Sequence, residues 1–155
     1  MSYTAKVLTV SDSAHAGTRD DLTGPAVAAT LEAHGFVVVD HRVSPDGIGP
    51  VSAALADLTE SFHGLVVTAG GTGFAPTDLT PEATRSVLDR EAPGLAEAAR
   101  ASNPLGRLSR GVAGTTGTSL VLNLPGSVNG AVESLGAVVD ILPHALDLLG
   151  GGRPH

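Results

Sequence analysis

The sequence predicts an α/β domain in which helices cover both faces of a mostly parallel central sheet. Apolar segments of strand length alternate with segments whose apolar residues recur every three or four positions. Parallel strands require crossover connections of this kind. Two late segments are separated by only two residues, which predicts a β-hairpin in the same sheet. We therefore expect a single three-layer domain over residues 1–155.

Five segments are predicted to form strands, because each is mostly aliphatic, β-branched or small and is followed by serine, glycine or proline. They are residues 3–10, 36–43, 64–69, 112–116 and 119–124. Gly117 and Thr118 separate the last two, and glycine suits the first position of a type II′ turn. Residues 15–22 are polar and are expected to form a loop.

Helices are predicted where helically spaced apolar residues follow a turn, often with proline or a capping residue at the start. The predicted helices begin at Thr23, Ile48, Thr80, Pro93 and Ser127. Thr80 is expected to be the N-cap of its helix, with Pro81 and Glu82 in the first turn. Pro143 is expected to kink or split the last helix.

The loops after four predicted strands carry acids and glycines. These loops are residues 11–13, 44–46, 70–78 and 123–127. Because right-handed crossovers bring the carboxyl ends of parallel strands to one edge, the loops should meet there, where such folds bind ligands. Asp12, Asp46 and Asp78 would then share one site. Each aspartate alone is an ordinary turn or cap residue, but their convergence favours a function.

A glycine-rich turn, Gly70-Gly71-Thr72-Gly73, joins a buried strand to a marked helix start. Glycines let backbone N–H groups approach a ligand, and a helix N-terminus adds unpaired N–H groups, so the segment predicts a phosphate site. Asp78 beside a phosphate predicts a bridging Mg²⁺. A tight strand-to-helix turn without a ligand is the alternative.

Composition narrows the classes of function. A net charge of −7 and only 3% aromatic residues argue against nucleic-acid binding, which depends on positive charge and often on stacking. The chain has no cysteine, which excludes disulfides and thiolate metal sites. No apolar run reaches the roughly 20 residues of a membrane-spanning helix. We expect a soluble cytoplasmic protein that binds small molecules, with no nucleic-acid or membrane partner.

Common catalytic motifs do not match. A dinucleotide fingerprint needs a third glycine where Pro76 stands, and a P-loop needs a lysine, but Lys6 is the one lysine of the chain and lies in the first strand. Ser13 lacks the Gly-x-Ser-x-Gly context of a hydrolase. Arg107 and Arg110 are candidates to clamp an anion, or are solvated loop residues.

Four segments together resemble the MogA/MoaB family of molybdenum cofactor biosynthesis proteins. They are Val10–Ser13, Gly70–Gly73, Asp78–Thr84 and Leu124–Ser127, and the similarity runs from about Ala5 to Leu149. The resemblance implies a molybdopterin-binding-like fold and a homotrimer or hexamer. For catalytic members it also implies Mg²⁺-dependent transfer of the adenylyl group of ATP to molybdopterin, with release of pyrophosphate.

The resemblance also implies roles for single residues. Asp46 and Asp78 would be the catalytic acids and would hold Mg²⁺ through ATP. The nucleotide and its phosphates would bind at Ser11, Asp12, Gly70, Gly71, Thr72, Gly73 and Glu82. Molybdopterin would bind at Thr118, Asn123, Pro125, Gly126 and Ser127.

One residue departs from the family pattern, since Thr77 stands where many members carry an arginine before the motif aspartate. The missing positive charge would have to come from a metal, Arg107 or Arg110. Three alternatives stay open at this point. They are a molybdopterin-binding protein without catalysis, a flavin- or nicotinamide-dependent oxidoreductase, and a purely structural assembly subunit.

Overall fold

The computed structural model describes residues 2–152 and contains a six-stranded sheet. Its strands are β1 (Tyr3–Val10), β2 (Phe36–Ser44), β3 (Leu65–Ala69), β4 (Arg90–Glu91), β5 (Ala113–Thr116) and β6 (Ser119–Leu124). Their order across the sheet is β2-β1-β3-β6-β5-β4. The pairs β2–β1, β1–β3 and β3–β6 are parallel, whereas β5 pairs antiparallel with β6 and β4. The predicted mostly parallel sheet with a hairpin is confirmed.

Helices lie on both faces of this sheet. They are α1 (Asp12–Ala16), α2 (Thr23–Ala33), α3 (Ile48–Thr59), α4 (Thr80–Val87), α5 (Pro93–Ala101), α6 (Val128–Gly136) and α7 (Leu142–Leu149), with a 3₁₀ turn at Pro104–Leu108. Pro143 lies in the first turn of α7, so the predicted split of the C-terminal helical region is confirmed. Among residues 2–152, no helix combines the length and the apolar character needed to cross a bilayer.

Two apolar cores form because successive strand residues point to opposite faces. In β1, Ala5 and Val7 belong to the core under α2, α5, α6 and α7, whereas Leu8 belongs to the core under α3 and α4. The same alternation continues in β3, where Leu65 and Val66 face opposite sides. The three-layer architecture therefore follows from the period-2 pattern of strands that are buried on both faces.

Three local predictions need correction. Residues 12–16 form the short helix α1 at the start of the expected loop, and Ser11 caps it by accepting a hydrogen bond from the Ala14 N–H. The two-residue strand β4 was not predicted, because so short a segment carries no periodicity. Thr80 is not an N-cap, since α4 is preceded by Leu79 and the buried Thr80 hydroxyl has no hydrogen-bond partner among the described residues.

The parallel strands bring four loops to one edge of the sheet. These are the loops after β1, β2, β3 and β6, the same four that carry the acids and glycines. The expected convergence at the carboxyl ends of the strands is confirmed, and it defines the site described next.

Candidate active site

Backbone contacts hold the four loops against one another. The Ser11 N–H donates to the Ser44 carbonyl at 2.9 Å, and the Gly70 N–H donates to the Leu124 carbonyl at 3.1 Å. A Cβ on Gly70 would lie only 2.2 Å from the Val10 carbonyl oxygen. Since a side chain there would collide with the backbone of Val10, glycine is required for the ends of β1 and β3 to pack this closely.

Gly71 lies at the centre of the loop cluster. Its φ is +70°, and a Cβ there would be 2.2 Å from Thr80 Oγ1 and 3.2 Å from Asp46 Oδ1. Its carbonyl accepts a hydrogen bond from the Thr80 N–H at 3.1 Å. The glycine therefore lets the loop after β3, the start of α4 and the carboxylate of Asp46 meet within a few ångströms.

Asp12 and Asp46 join the loops after β1 and β2 by two reciprocal hydrogen bonds. The Asp46 N–H donates to Asp12 Oδ1 at 2.9 Å, and the Asp12 N–H donates to Asp46 Oδ2 at 3.3 Å. Burial raises the pKa of the Asp46 carboxyl, and the negative charges of Asp12 and Asp78 raise it further against the opposing effect of the Asp12 N–H. Asp46 is thus a partly buried carboxylate with like charges beside it and no cation paired to it in residues 2–152.

Asp78 is held in position by the turn that precedes it. Its Oδ2 accepts a hydrogen bond from the Ala75 N–H at 2.9 Å, and a Cβ on Gly73 would lie 2.9 Å from the same oxygen. The carboxylates of Asp46 and Asp78 border the same cavity. The two acids that the resemblance singles out therefore lie together at one edge of the sheet.

Two cavities adjoin at this edge. The first, of about 550 Å³, is bordered by Ser11, Asp46 and Gly70 and by the segment 19–23. The second, of about 770 Å³, is bordered by Thr72, Gly73 and Pro125 and, from the segment after α5, by Asn103, Leu105, Gly106, Leu108 and Ser109. The two cavities share walls formed by Gly71, Asp78, Gly126, Ser127 and Val128. Two ligands bound side by side would meet at Asp78 and the start of α6.

The donor set agrees with Mg²⁺ bound together with a phosphorylated ligand. Within residues 2–152, no group of three or more acidic, histidine or cysteine side chains is arranged to hold a metal by itself. Mg²⁺ is commonly held by one or two carboxylates, with substrate phosphates and water completing its coordination. Asp46 and Asp78 supply two such oxygens. A cation there would offset the burial and the neighbouring negative charges that together raise the Asp46 pKa.

Glu82, predicted to bind phosphate, is instead paired with Arg110. Arg110 Nη1 donates to Glu82 Oε2 at 2.7 Å and Nη2 donates to Glu82 Oε1 at 3.2 Å. This ion pair lowers the pKa of the Glu82 carboxyl. Arg110 also donates to the backbone carbonyls of Gly73 and Asp78, at 2.7 and 2.6 Å. The pair therefore braces the glycine loop against α4, and Glu82 borders neither cavity.

Two of the predicted molybdopterin residues are not available at the site. Asn123 is buried, its amide nitrogen donates to Thr68 and Thr84 hydroxyls, and its oxygen accepts from the Val112 N–H. Thr118 precedes β6 and so lies at the opposite edge of the sheet, where its hydroxyl donates to the Phe62 carbonyl. Pro125, Gly126 and Ser127 do border the second cavity.

Sequence reasoning missed the residues that the segment after α1 contributes. Arg19, Asp20, Asp21, Leu22 and Thr23 border the first cavity, although the pattern predicted only a polar loop up to residue 22 and a helix start at Thr23. Nothing in the local sequence distinguishes these residues from solvated ones. Thr77, which departs from the expected family pattern, is exposed and borders neither cavity.

Comparison with known proteins agrees with this geometry. Residues 6–144 match a family described as a probable molybdopterin binding domain. The chain is 36% identical over 158 residues to a molybdopterin adenylyltransferase of Helicobacter pylori strain J99, a match that covers 94% of this chain and 86% of that protein. It is 34% identical to gephyrin of Dictyostelium discoideum, with 92% of this chain covered, but it spans only 22% of that protein.

A solved structure with a similar fold and sequence indicates the same family. The molybdopterin biosynthesis enzyme MoaB of Thermus thermophilus is 47% identical to this chain, with a TM-score of 0.89 and 98% of each chain covered. The sheet order, the glycine loop and the paired aspartates thus coincide with a family match over most of the sequence. The chain belongs to the family of probable molybdopterin binding domains, which confirms its resemblance to the MogA/MoaB proteins.

Proposed function

We propose that this protein transfers the adenylyl group of ATP to the terminal phosphate of molybdopterin and releases pyrophosphate. The observation that carries the proposal is the pair of adjoining cavities, which share Asp78, Gly71 and Ser127. A bisubstrate reaction requires two ligands whose reactive groups meet, and this arrangement provides a single meeting point lined by a carboxylate and glycines. The name of the Helicobacter relative supports the same reaction.

The first cavity suits ATP and the second suits molybdopterin. Ser11, Gly70 and Gly71 border the first cavity, and the N–H groups of a glycine loop are donors for phosphate oxygens. The second cavity is bordered by Pro125, by the start of α6 and by the exposed side chains of Leu105 and Leu108. These two leucines offer an apolar surface to a flat ring system. Ser127, which caps α6 and accepts from the Gly130 N–H, lies between the two ligands.

The chemistry is a phosphoryl substitution at the α-phosphorus of ATP. An oxygen of the molybdopterin phosphate forms the new bond, the bond from the α-phosphorus to the oxygen bridging to the β-phosphorus breaks, and the electron pair leaves with pyrophosphate. The attacking oxygen is already anionic near pH 7, so no strong general base is required. Positioning and neutralisation of charge are the contributions that the protein makes.

Asp46 and Asp78 would hold Mg²⁺ against the phosphates of ATP. Bound there, Mg²⁺ would neutralise negative charge on the triphosphate and on the departing pyrophosphate. The two side chains act by orientation, because Asp46 is fixed by the Asp12 N–H and Asp78 by the Ala75 N–H. Gly71 would bring its backbone close to the phosphate chain.

Mass spectrometry tests the proposal directly. The protein is incubated with molybdopterin, ATP and Mg²⁺, and the expected product is adenylylated molybdopterin together with pyrophosphate in equal amount. Omission of Mg²⁺ and the variant Asp78→Asn are the matched controls. Binding of molybdopterin without any dependence on Mg-ATP, and without product, would instead identify a non-catalytic binding protein of the same family.

We further propose that the protein acts as a homotrimer or a hexamer in the cytoplasm. Support comes from the edge strand β2, where Val37 and Val39 are 48% and 51% exposed, since apolar side chains on an unpaired edge favour association. Light scattering should give a mass of three or six chains of 15.4 kDa. A monomer at micromolar concentration would contradict the assembly.

A further inference from the structure

The walls of the first cavity are dominated by negative charge. Asp20, Asp21, Asp46 and Asp78 all border it. A triphosphate in this cavity would be repelled by these carboxylates unless cations offset them. One Mg²⁺ supplies two positive charges, which leaves the rest of the phosphate chain without a counter-charge.

Arg19 is the one lysine or arginine of the described residues that borders either cavity. It is exposed, and it makes no ion pair or side-chain hydrogen bond with other residues in 2–152. The arginines considered from the sequence are placed differently. Arg110 is engaged with Glu82 and two carbonyls, while Arg107 donates to the Pro104 carbonyl and borders neither cavity.

The segment that carries Arg19 is tied to the fold at both ends. On one side, the Thr18 N–H and hydroxyl both donate to the Ser13 carbonyl. On the other side, Asp21 accepts hydrogen bonds from the Thr9 hydroxyl at 2.8 Å and from the Gly24 N–H at 2.9 Å. Because these anchors are only three residues apart, the backbone of Arg19 is held at the rim of the cavity while its side chain keeps its donors free.

We propose that Arg19 binds the phosphate chain of ATP and supplies a positive charge at the mouth of the first cavity. This inference rests on the proposed adenylyl transfer, and it names the residue that recognises the triphosphate. The guanidinium offers up to five N–H donors in a planar fork that suits phosphate oxygens. Arg19 thereby acts as an exposed substrate-binding residue of the same cavity that Asp46 and Asp78 border.

Isothermal titration with Mg-ATP and with Mg-pyrophosphate tests the proposal. Arg19→Gln should weaken both ligands about tenfold, the usual scale for one exposed charge-assisted hydrogen-bond pair to phosphate. Arg19→Lys should retain part of the affinity, because the charge remains but the fork does not. Affinity for molybdopterin should stay within about twofold, since its cavity lacks Arg19.

Two further variants sharpen the test. Arg90→Gln lies on β4, the last strand of the sheet on the side away from β2. It makes the same change of charge and should leave Mg-ATP affinity unchanged. Arg107→Gln tests whether Arg107, instead of Arg19, supplies the positive charge that binds the phosphates. Unchanged affinity in Arg19→Gln, or an equal loss in Arg90→Gln, would overturn the role of Arg19. A wild-type protein that binds molybdopterin but neither Mg-ATP nor Mg-pyrophosphate would overturn the proposed function and, with it, this inference.

Discussion

Two carboxylates beside the same glycine loop have opposite environments. Asp46 is partly buried next to Asp12 and Asp78, and its pKa is raised. Glu82 lies on α4 against Arg110, and its pKa is lowered. The resemblance to the MogA/MoaB family implies a site role for both acids. In the structure, the Asp46 carboxylate borders a cavity and has no cationic partner among the described residues, whereas the Glu82 carboxylate is paired with Arg110.

The difference separates a carboxylate suited to bind a ligand from one that stabilises the protein. An acid held among like charges destabilises the folded state in its ionised form, and a bound cation would remove that cost, so such an acid is suited to a ligand site. An acid paired with arginine contributes to the packing of its own helix. Substitutions at the two positions should therefore have opposite consequences for stability and for activity.

The largest effect is expected on turnover. Asp78→Asn and Asp46→Asn should each lower kcat for adenylyl transfer by roughly 10²–10³-fold, because each removes a charge that positions the metal and the phosphates. Glu82→Gln should lower it less than about fivefold, the equivalent of 1 kcal/mol. Product formation by mass spectrometry, corrected for folded protein by circular dichroism, measures all three.

A matched control is Asp57→Asn, an exposed acid on α3 that pairs with Arg42 and lies outside both cavities. It should keep wild-type turnover. If Glu82→Gln lost as much activity as Asp46→Asn, the distinction between the two carboxylates would fail. Full activity of an Asp46→Asn, Asp78→Asn double variant would exclude a metal role for both.

A second prediction concerns the close approach at Gly71. Gly71→Ala should weaken Mg-ATP by about tenfold or more, because a Cβ there lies 2.2 Å from Thr80 Oγ1 and the φ of +70° strains an L-residue. Gly94→Ala on α5 is the control, since a Cβ there meets no atom within 4 Å. Equal affinities in the two variants, measured by titration, would show that the loop does not hold the phosphates.

The convergence of Asp46 and Asp78 could be predicted from the sequence because it depends on topology alone. Strand alternation identifies parallel strands, and parallel strands deliver their following loops to one edge. The same rule applied to Thr118 would have placed it at the opposite edge, since it precedes β6. The role of Thr118 in binding molybdopterin is implied by the resemblance alone, and the position of Thr118 gives it no support.

The roles of Glu82, Asn123 and Arg19 could not be predicted, because each depends on its tertiary neighbours. Glu82 finds Arg110, which is 28 positions away in the chain. The side chain of Asn123 is hydrogen-bonded to Thr68 of β3, to Thr84 of α4 and to the Val112 N–H. Arg19 borders the cavity because hydrogen bonds of Thr18 and Asp21 hold its segment, and the sequence pattern does not show those contacts. Local sequence shows which side chains could bind a ligand. The tertiary structure determines whether those side chains are already hydrogen-bonded to other residues.

A third, smaller effect is expected at Arg110. Arg110→Gln should lower Tm by about 3–8 °C, because it removes the ion pair with Glu82 and the hydrogen bonds to two loop carbonyls. Glu82→Gln should lower Tm by less, since it leaves those two hydrogen bonds in place. The loss in Glu82→Gln should be present above about pH 4.3, the ordinary glutamate pKa, and should fade as pH drops through the lowered value. Identical thermal melts for wild type and Arg110→Gln would contradict the bracing role.

The smallest effect has the opposite sign and concerns Asp46. Because the folded-state pKa of Asp46 is raised, ionised Asp46 destabilises the fold at neutral pH, and Asp46→Asn should raise Tm by roughly 1–3 °C. The gain should be complete above the raised pKa and should vanish as pH falls below about 4, the ordinary aspartate value, where both proteins carry a neutral side chain. Thermal melts of the two proteins between pH 3 and 8, without Mg²⁺ or nucleotide, measure the difference. A variant less stable than wild type at pH 7 would mean that the Asp46 charge is compensated in the ligand-free protein, and the contrast with Glu82 would then be lost.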